Sequence, residues 1–313
     1  MVRLQDRRFY RDMEISFRKI ELEDRELLQG YLNRKPYRSC DLVFANIYLW
    51  SRKYHTEFAI VEDTLIFCGY QEDGAISITF PIGGQEQIKK ALDVMLAWFE
   101  EQNREFHMYI VQEKEFELLE AWYPQKFQIS YNRDAADYVY ETEKLTSLAG
   151  KKLHGKRNHI NRFKENNPDW VYEPITSENV EDCFQMALRW REEMQCEQDV
   201  EKRDEMCVTL NALRLMEELH LQGGLLRTKP GGEVIAFTIG EPLNPDTYVV
   251  HIEKAYAEVQ GAYPMINQQF VEHVAQEYTY VNREEDTGAE GLRKAKLSYR
   301  PAFLVEKGNV TLK

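Results

Sequence analysis

One order of short strands and helices occurs twice along this chain, and this repetition is the feature that most constrains its fold. In the first half, a meander of three short strands is followed by a helix, a strand, a second helix and two further strands. From Asp169 onward a similar order begins with a strand and two helices, and continues with a hairpin and alternating strands and helices. Because the halves share this order without obvious sequence identity, the sequence predicts a duplicated α/β unit.

Hydrophobic spacing and turn residues predict the individual elements. Helices are expected over 24–32, 41–54, 85–103, 113–122, 177–196, 202–222, 263–276 and 289–299. Strands are expected over 58–61, 65–68, 76–80, 107–111, 127–131, 137–140, 170–174, 225–228, 234–240, 247–253 and 278–283, with a terminal hairpin over 303–313. We therefore predict an N-terminal domain at 1–143, a connector at 144–168 and a C-terminal domain at 169–313.

Composition places the 313-residue chain among globular proteins, since 43% of its residues are hydrophobic and 30% are charged. Its five cysteines are odd in number and widely spaced, so neither a disulfide framework nor a metal site is predicted, and a reducing compartment fits best. The segment Met1–Met13 contains four arginines but no apolar stretch, and no other stretch is long enough to span a membrane. We expect a cytoplasmic protein.

Charge is unevenly distributed along the chain. The net charge is −13, but the basic segment, residues 144–164, contains seven lysines and arginines and no acidic residue, so the remainder carries −20. Two interpretations remain open: a solvated helix between domains, or a site for the phosphates of RNA or of a lipid head group. On a helical projection Lys156 falls within the apolar face of Leu153, Ile160 and Phe163, and a break is expected near Gly155.

A glycine at the start of a helix suggests an anion site in the second half. The strand over 247–253 is followed by Gln260, Gly261 and Ala262, and then by a helix with Pro264 in its first turn. Backbone N–H groups at such a helix end can bind a phosphate. The simpler alternative is that Gly261 only forms a turn.

Ionisable residues cluster further along, where a strand ends in a polar loop and a helix follows. The loop contains Arg283 and Asp286, and the helix places Lys296 on its apolar face beside Tyr299. Arg300 follows at the end of this helix. A carboxylate, an arginine, a lysine and a phenol are therefore predicted to converge, in an arrangement suited to ligand binding or proton transfer.

Three segments carry a resemblance to a known family. They are KKLHGKRNHINRF, QGAYPMINQQFV and NREEDTGAEGLRKAKLSYRPAF, which begin at Lys151, Gln260 and Asn282. Together they resemble the C-terminal catalytic domain of phosphatidylglycerol lysyltransferases, and the resemblance extends from about Glu14 to the end of the chain. It implies an α/β (α+β) fold of two tandem acyltransferase domains of the GCN5-related type, with mixed, mostly antiparallel sheets flanked by helices.

The resemblance implies transfer of an aminoacyl group from aminoacyl-tRNA to a hydroxyl or amine acceptor, such as a lipid head group. Members of the family usually have spanning helices ahead of this domain, and this sequence contains none. The spacing around Gln260, Gly261 and Ala262 is shorter than the coenzyme A loop of acetyltransferases, so acetyl-CoA is not predicted. The alternatives are an acyl-CoA-dependent transferase acting on a small amine, and a non-catalytic anion-binding module.

These inferences assign roles to particular residues. Glu253 or Asp286 is expected to accept the proton of the acceptor, and Lys296 or Tyr299 to stabilise the oxyanion or to protonate the leaving ribose oxygen. Substrate or phosphate binding is expected from Lys151, Lys152, Lys156, Arg157, Arg162, Gln260, Gly261, Ala262, Arg283 and Arg300. No cofactor is required beyond the donor, which is aminoacyl-tRNA or acyl-CoA. The expected partners are tRNA on residues 144–164 and, peripherally, anionic lipid.

Overall fold

A computed structural model describes residues 15–70 and 74–313 of the chain. The arginine-containing segment Met1–Met13, on which the expectation about an N-terminal signal depends, lies outside the described residues. Within the described residues, no helix has both the length and the apolar character needed to cross a membrane.

The chain forms two compact units that do not coincide with two consecutive halves. The first unit contains the residues up to Pro36 together with Trp50–Ala136 and Glu306–Lys313, and the second contains Tyr37–Leu49 and Asp137–Val305. The predicted boundaries at 143 and 168 therefore differ from those of the structure, and the basic segment belongs to the second unit. The reason is long-range strand pairing: residues 137–141 join the sheet of the second unit, and the last strand of the chain joins the sheet of the first.

The first unit is built on a mixed sheet of seven strands from the described residues. They are β1 (Arg18–Lys19), β2 (Glu57–Val61), β3 (Thr64–Tyr70), β4 (Ile76–Thr79), β5 (His107–Val111), β6 (Phe127–Tyr131) and β14 (Gly308–Leu312). Their order is β1-β2-β3-β4-β5-β14-β6, and among these described strands only β4 and β5 pair in parallel. The helices are α1 (Arg25–Leu32), α3 (Gln85–Glu101) and α4 (Glu113–Trp122), while α2 (Phe44–Tyr54) extends past the boundary at Leu49.

The second unit is built on a sheet with the same pattern of pairing. Its strands are β7 (Asp137–Glu141), β8 (Val171–Pro174), β9 (Gln222–Arg227), β10 (Val234–Asn244), β11 (Thr247–Ala255), β12 (Tyr280–Asn282) and β13 (Phe303–Val305). Their order is β13-β7-β12-β11-β10-β9-β8, and β11 and β12 form the parallel pair. The helices are α5 (Thr142–Ser147), α6 (His154–Asn166), α7 (Val180–Glu193), α8 (Val200–Arg214), α9 (Ala262–Val274) and α10 (Glu290–Ser298).

Taken from the β1 edge of the first sheet and from the β8 edge of the second, both sheets thus consist of three antiparallel pairs, one parallel pair and two further antiparallel pairs. In each unit a helix connects the two parallel strands, α3 in the first and α9 in the second. The prediction of a duplicated fold of mixed, mostly antiparallel sheets flanked by helices is confirmed. Apolar side chains of α3 and the first sheet form the buried core of the first unit, including Ile78, Leu92, Met95 and Phe127.

Two details differ from the predictions. The last two strands are not a hairpin, because β13 pairs with β7 in the second unit whereas β14 lies between β5 and β6 in the first. The break in the basic segment lies before α6 rather than at Gly155, since Leu148 and Gly150 both adopt positive φ angles there. The apolar face of α6 is buried as expected, with Ile160 and Phe163 at 3% and 0% exposure.

Candidate functional site

The candidate site lies where the parallel strands of the second unit separate. β11 and β12 pair only from Thr247 and Tyr280 to Val249 and Asn282, and beyond this point β11 continues to Ala255 while β12 ends. The chain that leaves β12 begins with Arg283, and the part of β11 that extends beyond its pairing with β12 carries Glu253. The separation of the strands therefore leaves a gap bordered by a guanidinium and a carboxylate.

A nearly buried ion pair joins the two sides of this gap. Arg283 Nη2 donates to Glu253 Oε1 at 2.9 Å, and the two side chains are 11% and 14% exposed. Asn267 on α9 donates from Nδ2 to the other carboxylate oxygen, Oε2, at 3.0 Å. Each charge compensates the other in surroundings that contain little water, and the amide satisfies a further lone pair of the carboxylate.

The ring of Tyr299 lies against two cations. Lys156 Nζ is 4.1 Å from the ring centroid and Arg283 Cζ is 4.8 Å from it, both within the range of cation–π interactions. The ring of Tyr140 meets Tyr299 edge to face, with centroids 6.3 Å apart. Burial raises the pKa of Tyr299 to about 12, although the charge of Arg283 acts in the opposite direction. The phenol is therefore protonated at neutral pH.

Lys156 is a cation of the site whose pKa is strongly perturbed. Burial lowers its pKa, the charge of Arg283 lowers it further and Glu253 partly compensates, so that the pKa is about 8. Among the described residues its ammonium has the Tyr299 ring as a contact but no hydrogen-bond or ion-pair partner. A half-buried ammonium in this state can bind an anion or exchange a proton near neutral pH.

Close packing of α6 on α9 brings Lys156 to the site. Gly261, the residue before α9, has φ of +84°, and a Cβ there would lie 2.3 Å from the carbonyl oxygen of His159 and 3.0 Å from Cβ of Phe163. Only glycine allows this approach. The prediction of a phosphate site at this helix end remains untested, but helix packing accounts for the glycine, and the N–H of Ala262 donates to Val259 O at 3.1 Å.

Lys296 and Asp286 hold the loop that carries Arg283. Lys296 Nζ donates to the carbonyl oxygen of Arg283 at 2.7 Å and also to that of Glu285, and burial lowers its pKa. Asp286 is fully buried and accepts hydrogen bonds from Arg293 at 2.7 and 2.8 Å, from the backbone N–H of Gly288 at 3.0 Å and from the Tyr138 hydroxyl. Burial raises the pKa of Asp286, but these hydrogen bonds outweigh it and hold the pKa well below its ordinary value.

A buried charge cluster, which sequence reasoning missed, lies beside the same loop. His251 on β11 is bound through Nδ1 to Glu284 at 2.7 Å and through Nε2 to Glu241 at 3.0 Å. Burial lowers the pKa of His251, but the two carboxylates overcome this effect and raise it to about 10. Its signal in the sequence is a histidine among the apolar residues of YVVHI. The imidazolium anchors Glu284, the residue next to Arg283.

The described residues include a group of three potential metal ligands in the second unit. The ligand atoms of Cys40, Asp137 and Glu285 lie within 4.8 Å of one another. Asp137 Oδ2 already accepts hydrogen bonds from the Cys40 backbone at 2.8 Å and from Asn282 at 3.0 Å. Although burial lowers the pKa of Lys296, the carboxylates of Asp137 and Glu285 act to raise it, so an ammonium already supplies positive charge beside this group.

Other predicted binding residues lie outside the gap. Five of them are exposed: Lys151, Lys152, Arg162, Gln260 and Arg300. Arg157 donates from Nη1 to the backbone carbonyls of Leu148 and Gly150, so it stabilises the turn before α6. The structure therefore brings together Glu253, Arg283, Tyr299 and Lys156 from the predicted set, with Asp286 and Lys296 supporting them.

Comparison with known families identifies the class to which this fold and site belong. The family model described as phosphatidylglycerol lysyltransferase, C-terminal, matches residues 33–307. The match covers most of the chain, and the chain belongs to this family. The resemblance stated from the sequence is thereby confirmed.

Solved structures agree with this assignment. A conserved protein of unknown function from Bacteroides thetaiotaomicron is 37% identical, with a TM-score of 0.90 over 96% of this chain and 100% of that one. The C-terminal domain described as that of a lysylphosphatidylglycerol synthetase from Agrobacterium fabrum has a TM-score of 0.66 at 12% identity, over 92% of this chain and 91% of that one. L-PGS from Bacillus licheniformis has a TM-score of 0.62 at 14% identity, over 91% of each chain. At identities of 12% and 14%, the structures from Agrobacterium fabrum and Bacillus licheniformis show that they share a fold with this chain.

Proposed function

We propose that this protein is an aminoacyltransferase that moves an aminoacyl group from a charged tRNA to a hydroxyl or amine acceptor. The observation that carries the proposal is the meeting of Lys156, Arg283, Glu253 and Tyr299 where β11 and β12 separate. Support comes from the family, whose model is described by lysyl transfer to phosphatidylglycerol. Lysine and a lipid head group are accordingly the first donor and acceptor to test.

The proposed step exchanges one acyl bond for another. The acceptor oxygen or nitrogen attacks the ester carbonyl of the aminoacyl-tRNA, and the bond between that carbonyl carbon and the ribose oxygen breaks. The acceptor proton passes to Glu253 directly or through water, and the ribose oxygen receives a proton from the Lys156 ammonium. Arg283, which keeps its charge, stabilises the oxyanion that forms at the carbonyl. The step requires no covalent enzyme intermediate.

We assign positioning roles to Asp286 and Lys296. Their polar atoms are engaged with Arg293, Tyr138 and the backbone of residues 283–288. Both side chains therefore fix the loop on which Arg283 lies, and a well-oriented guanidinium contributes more to transition-state stabilisation than a mobile one.

The exposed cations of the basic segment suit the acceptor end of a tRNA. Lys151, Lys152 and Arg162 are exposed on or beside α6, whereas Lys156 on the same helix is half-buried in the candidate site. One helix thus offers phosphate contacts on one face and a reactive cation on another. Charged tRNA is a cytoplasmic substrate, so we propose that the reaction takes place there, with any lipid acceptor met at the membrane surface.

The deciding experiment measures transfer from lysyl-tRNA to phosphatidylglycerol vesicles and to soluble amines, with Lys156→Met as the test variant. We expect a loss of about 10²–10³-fold in transfer, because one charged group that acts in the transition state is removed. Lys229→Met, at an exposed lysine in the turn between β9 and β10, is the matched control and should retain activity.

Three outcomes would count against the proposal. Full activity in Lys156→Met would remove this residue from the chemistry. A thermal shift with coenzyme A but none with aminoacyl-tRNA would favour the acyl-CoA alternative, since a ligand of the folded state raises its stability. Salt-dependent tRNA binding without any product, over a panel of charged tRNAs, would favour a non-catalytic binding module.

A further inference from the structure

Two polar atoms in the candidate site are buried without hydrogen-bond partners among the described residues. They are Nη1 of Arg283, which is a donor, and Oδ1 of Asn267, which is an acceptor. The Asn267 residue is 1% exposed and the Arg283 side chain is 11% exposed. An unpaired buried polar group is unfavourable, and native proteins keep such groups mainly where a ligand or water completes them.

Both unpaired atoms lie close to the same carboxylate. Glu253 accepts from Arg283 Nη2 through Oε1 and from Asn267 Nδ2 through Oε2. A carboxylate only accepts hydrogen bonds, so the amide of Asn267 must present its NH₂ group to Glu253 and its oxygen elsewhere. The orientation of the amide is therefore fixed by its neighbour, and the unpaired acceptor is a real feature of the site.

A ligand that satisfies both atoms needs an oxygen acceptor and an N–H donor only a few bonds apart. An α-aminoacyl ester has this pair, since its carbonyl oxygen accepts and its α-ammonium donates. The cations around the Tyr299 ring, Arg283 and Lys156, suit the carbonyl oxygen, and Asn267 beside Glu253 suits the ammonium. An acetyl or fatty acyl group offers the acceptor alone and would leave Asn267 Oδ1 unpaired.

We propose that Asn267 determines the acyl specificity of this site by accepting a hydrogen bond from the free α-ammonium of the donor's acyl group, while Arg283 Nη1 binds its carbonyl oxygen. The inference rests on the proposed function and names the feature of the donor that is selected. A buried acceptor that meets a charged donor contributes to affinity, and an analogue that lacks the donor leaves the acceptor desolvated and unpaired. Removing the α-amine should weaken binding about 10- to 100-fold.

Binding of small probes tests the inference apart from catalysis. Calorimetry would compare the free amides L-lysinamide and L-alaninamide with 6-aminohexanamide and propanamide, their counterparts that keep the carbonyl oxygen but have no α-amine. The test variant is Asn267→Leu, which replaces the amide by an apolar group of similar size. The matched control is Gln268→Leu on the same helix, which removes the hydrogen bond from Gln268 Nε2 to Thr146 O at 2.6 Å, outside the site.

We expect the wild type and Gln268→Leu to prefer the free amides by about tenfold or more, and Asn267→Leu to bind both forms equally. Equal binding in the wild type, failure of every amide to bind the folded protein, or an unchanged preference in folded Asn267→Leu would overturn the inference. Should Asn267→Leu not fold, the wild-type preference for the free amides decides the question, and Arg283→Lys as second variant should weaken the binding of both forms alike, because both keep the carbonyl oxygen.

The same measurements separate this inference from the proposed function. Selective binding of free amides without transfer from any charged tRNA would contradict the proposed function and leave the inference standing. Transfer that proceeds equally well from lysyl-tRNA and from 6-aminohexanoyl-tRNA, which has no α-amine, would overturn the inference and leave the proposed function standing.

Discussion

The two units share one strand pattern but differ where their parallel strands meet. In the first unit β4 ends at Thr79, level with its last pairing to β5, and the chain turns so that Ile82 pairs with Leu65. In the second unit β11 continues past its last pairing with β12 as far as Ala255. The longer strand supplies Glu253 at a position for which the shorter strand has no counterpart.

The side chains near these strand ends differ accordingly. Phe80, Ile82 and Val111 of the first unit are each at most 4% exposed and apolar, whereas the second unit places Glu253 and Arg283 in its gap. Apolar side chains fill the corresponding place in the first unit, while the gap of the second unit needs an ion pair and retains unpaired polar atoms. A duplicated fold can therefore keep one copy as a packed support and use the other for chemistry.

The largest expected effect follows from breaking the ion pair of the second unit. Arg283→Met leaves the Glu253 carboxylate without its cation, and we expect the free energy of unfolding of this unit to fall by about 3–5 kcal/mol. Urea titration followed by hydrogen exchange in each unit measures the change separately. Adding Glu253→Gln to the same chain should recover part of the loss, because the uncompensated charge is then absent.

The first unit offers a contrasting pair in Lys35 and Glu115. Lys35 Nζ lies 3.4 Å from Glu115 Oε1 and is 45% exposed, and Glu115 also accepts a backbone hydrogen bond from Gln112 at 2.9 Å. Burial raises the pKa of Glu115, so this group takes up a proton readily when its partner is lost. Lys35→Met should cost about 1 kcal/mol. Equal losses of unfolding free energy for Arg283→Met and Lys35→Met would contradict the view that only the second unit depends on a buried ion pair.

A histidine in each unit should respond to pH with opposite sign. His251 has its pKa raised to about 10 in the folded protein, so its stabilising charge is fully present below about pH 6.5 and is lost as pH rises toward 10. Burial lowers the pKa of His107, so its contribution is present above about pH 6.5 and is lost as the solution becomes more acidic.

Unfolding free energies measured between pH 5 and 10 test whether the two histidines respond to pH in opposite directions. The difference between wild type and His251→Gln should shrink as pH rises from 6.5 to 10, and the difference between wild type and His107→Gln should shrink below pH 6.5. A difference for His251→Gln that stays constant between pH 6.5 and 10 would mean that the imidazole between Glu241 and Glu284 is neutral in the folded protein over that range.

The sequence predicted most individual elements because their signals are local. The strands at 107–111 and 127–131 and the helix at 113–122 have the predicted bounds, since alternation and helical spacing are properties of neighbouring residues. The exchange of β7 and β14 between the sheets depends on partners far apart in sequence, and it carries no local signal. For this reason the predicted domain boundaries and terminal hairpin differ from the structure.

The site residues likewise fall into those with a local signal in the sequence and those without one. Lys156 was conspicuous as a lysine on an apolar helix face, and Arg283 and Tyr299 as polar residues near the end of an element. Asn267 and His251 were missed, because one polar residue within an amphipathic helix or a buried strand is common and its partner, here Glu253 or Glu284, lies at a distance in the sequence. Which polar residues share a gap is a tertiary property.

The smallest effect concerns the glycines that precede the equivalent helices. Gly84 before α3 has a negative φ of −71°, and a Cβ there would meet only the flexible end of the Gln87 side chain. Gly261 before α9 has a positive φ, and its Cβ would meet the backbone of His159 on α6. Gly84→Ala should change the free energy of unfolding by less than about 0.5 kcal/mol, and Gly261→Ala should lower it by about 2 kcal/mol.

Thermal unfolding measures the loss of stability in both glycine variants. A transfer assay then tests whether the packing of α6 on α9 also affects the candidate site. The new methyl group at residue 261 can be accommodated only if α6 moves away from α9, which would carry Lys156 away from Tyr299. Gly261→Ala should therefore reduce the transfer rate even at a temperature where the variant is fully folded, so that unfolding does not account for the loss. Gly84→Ala should leave the transfer rate unchanged. Equal, small costs at both positions would show that the close approach of α6 is not needed to hold Lys156 in place.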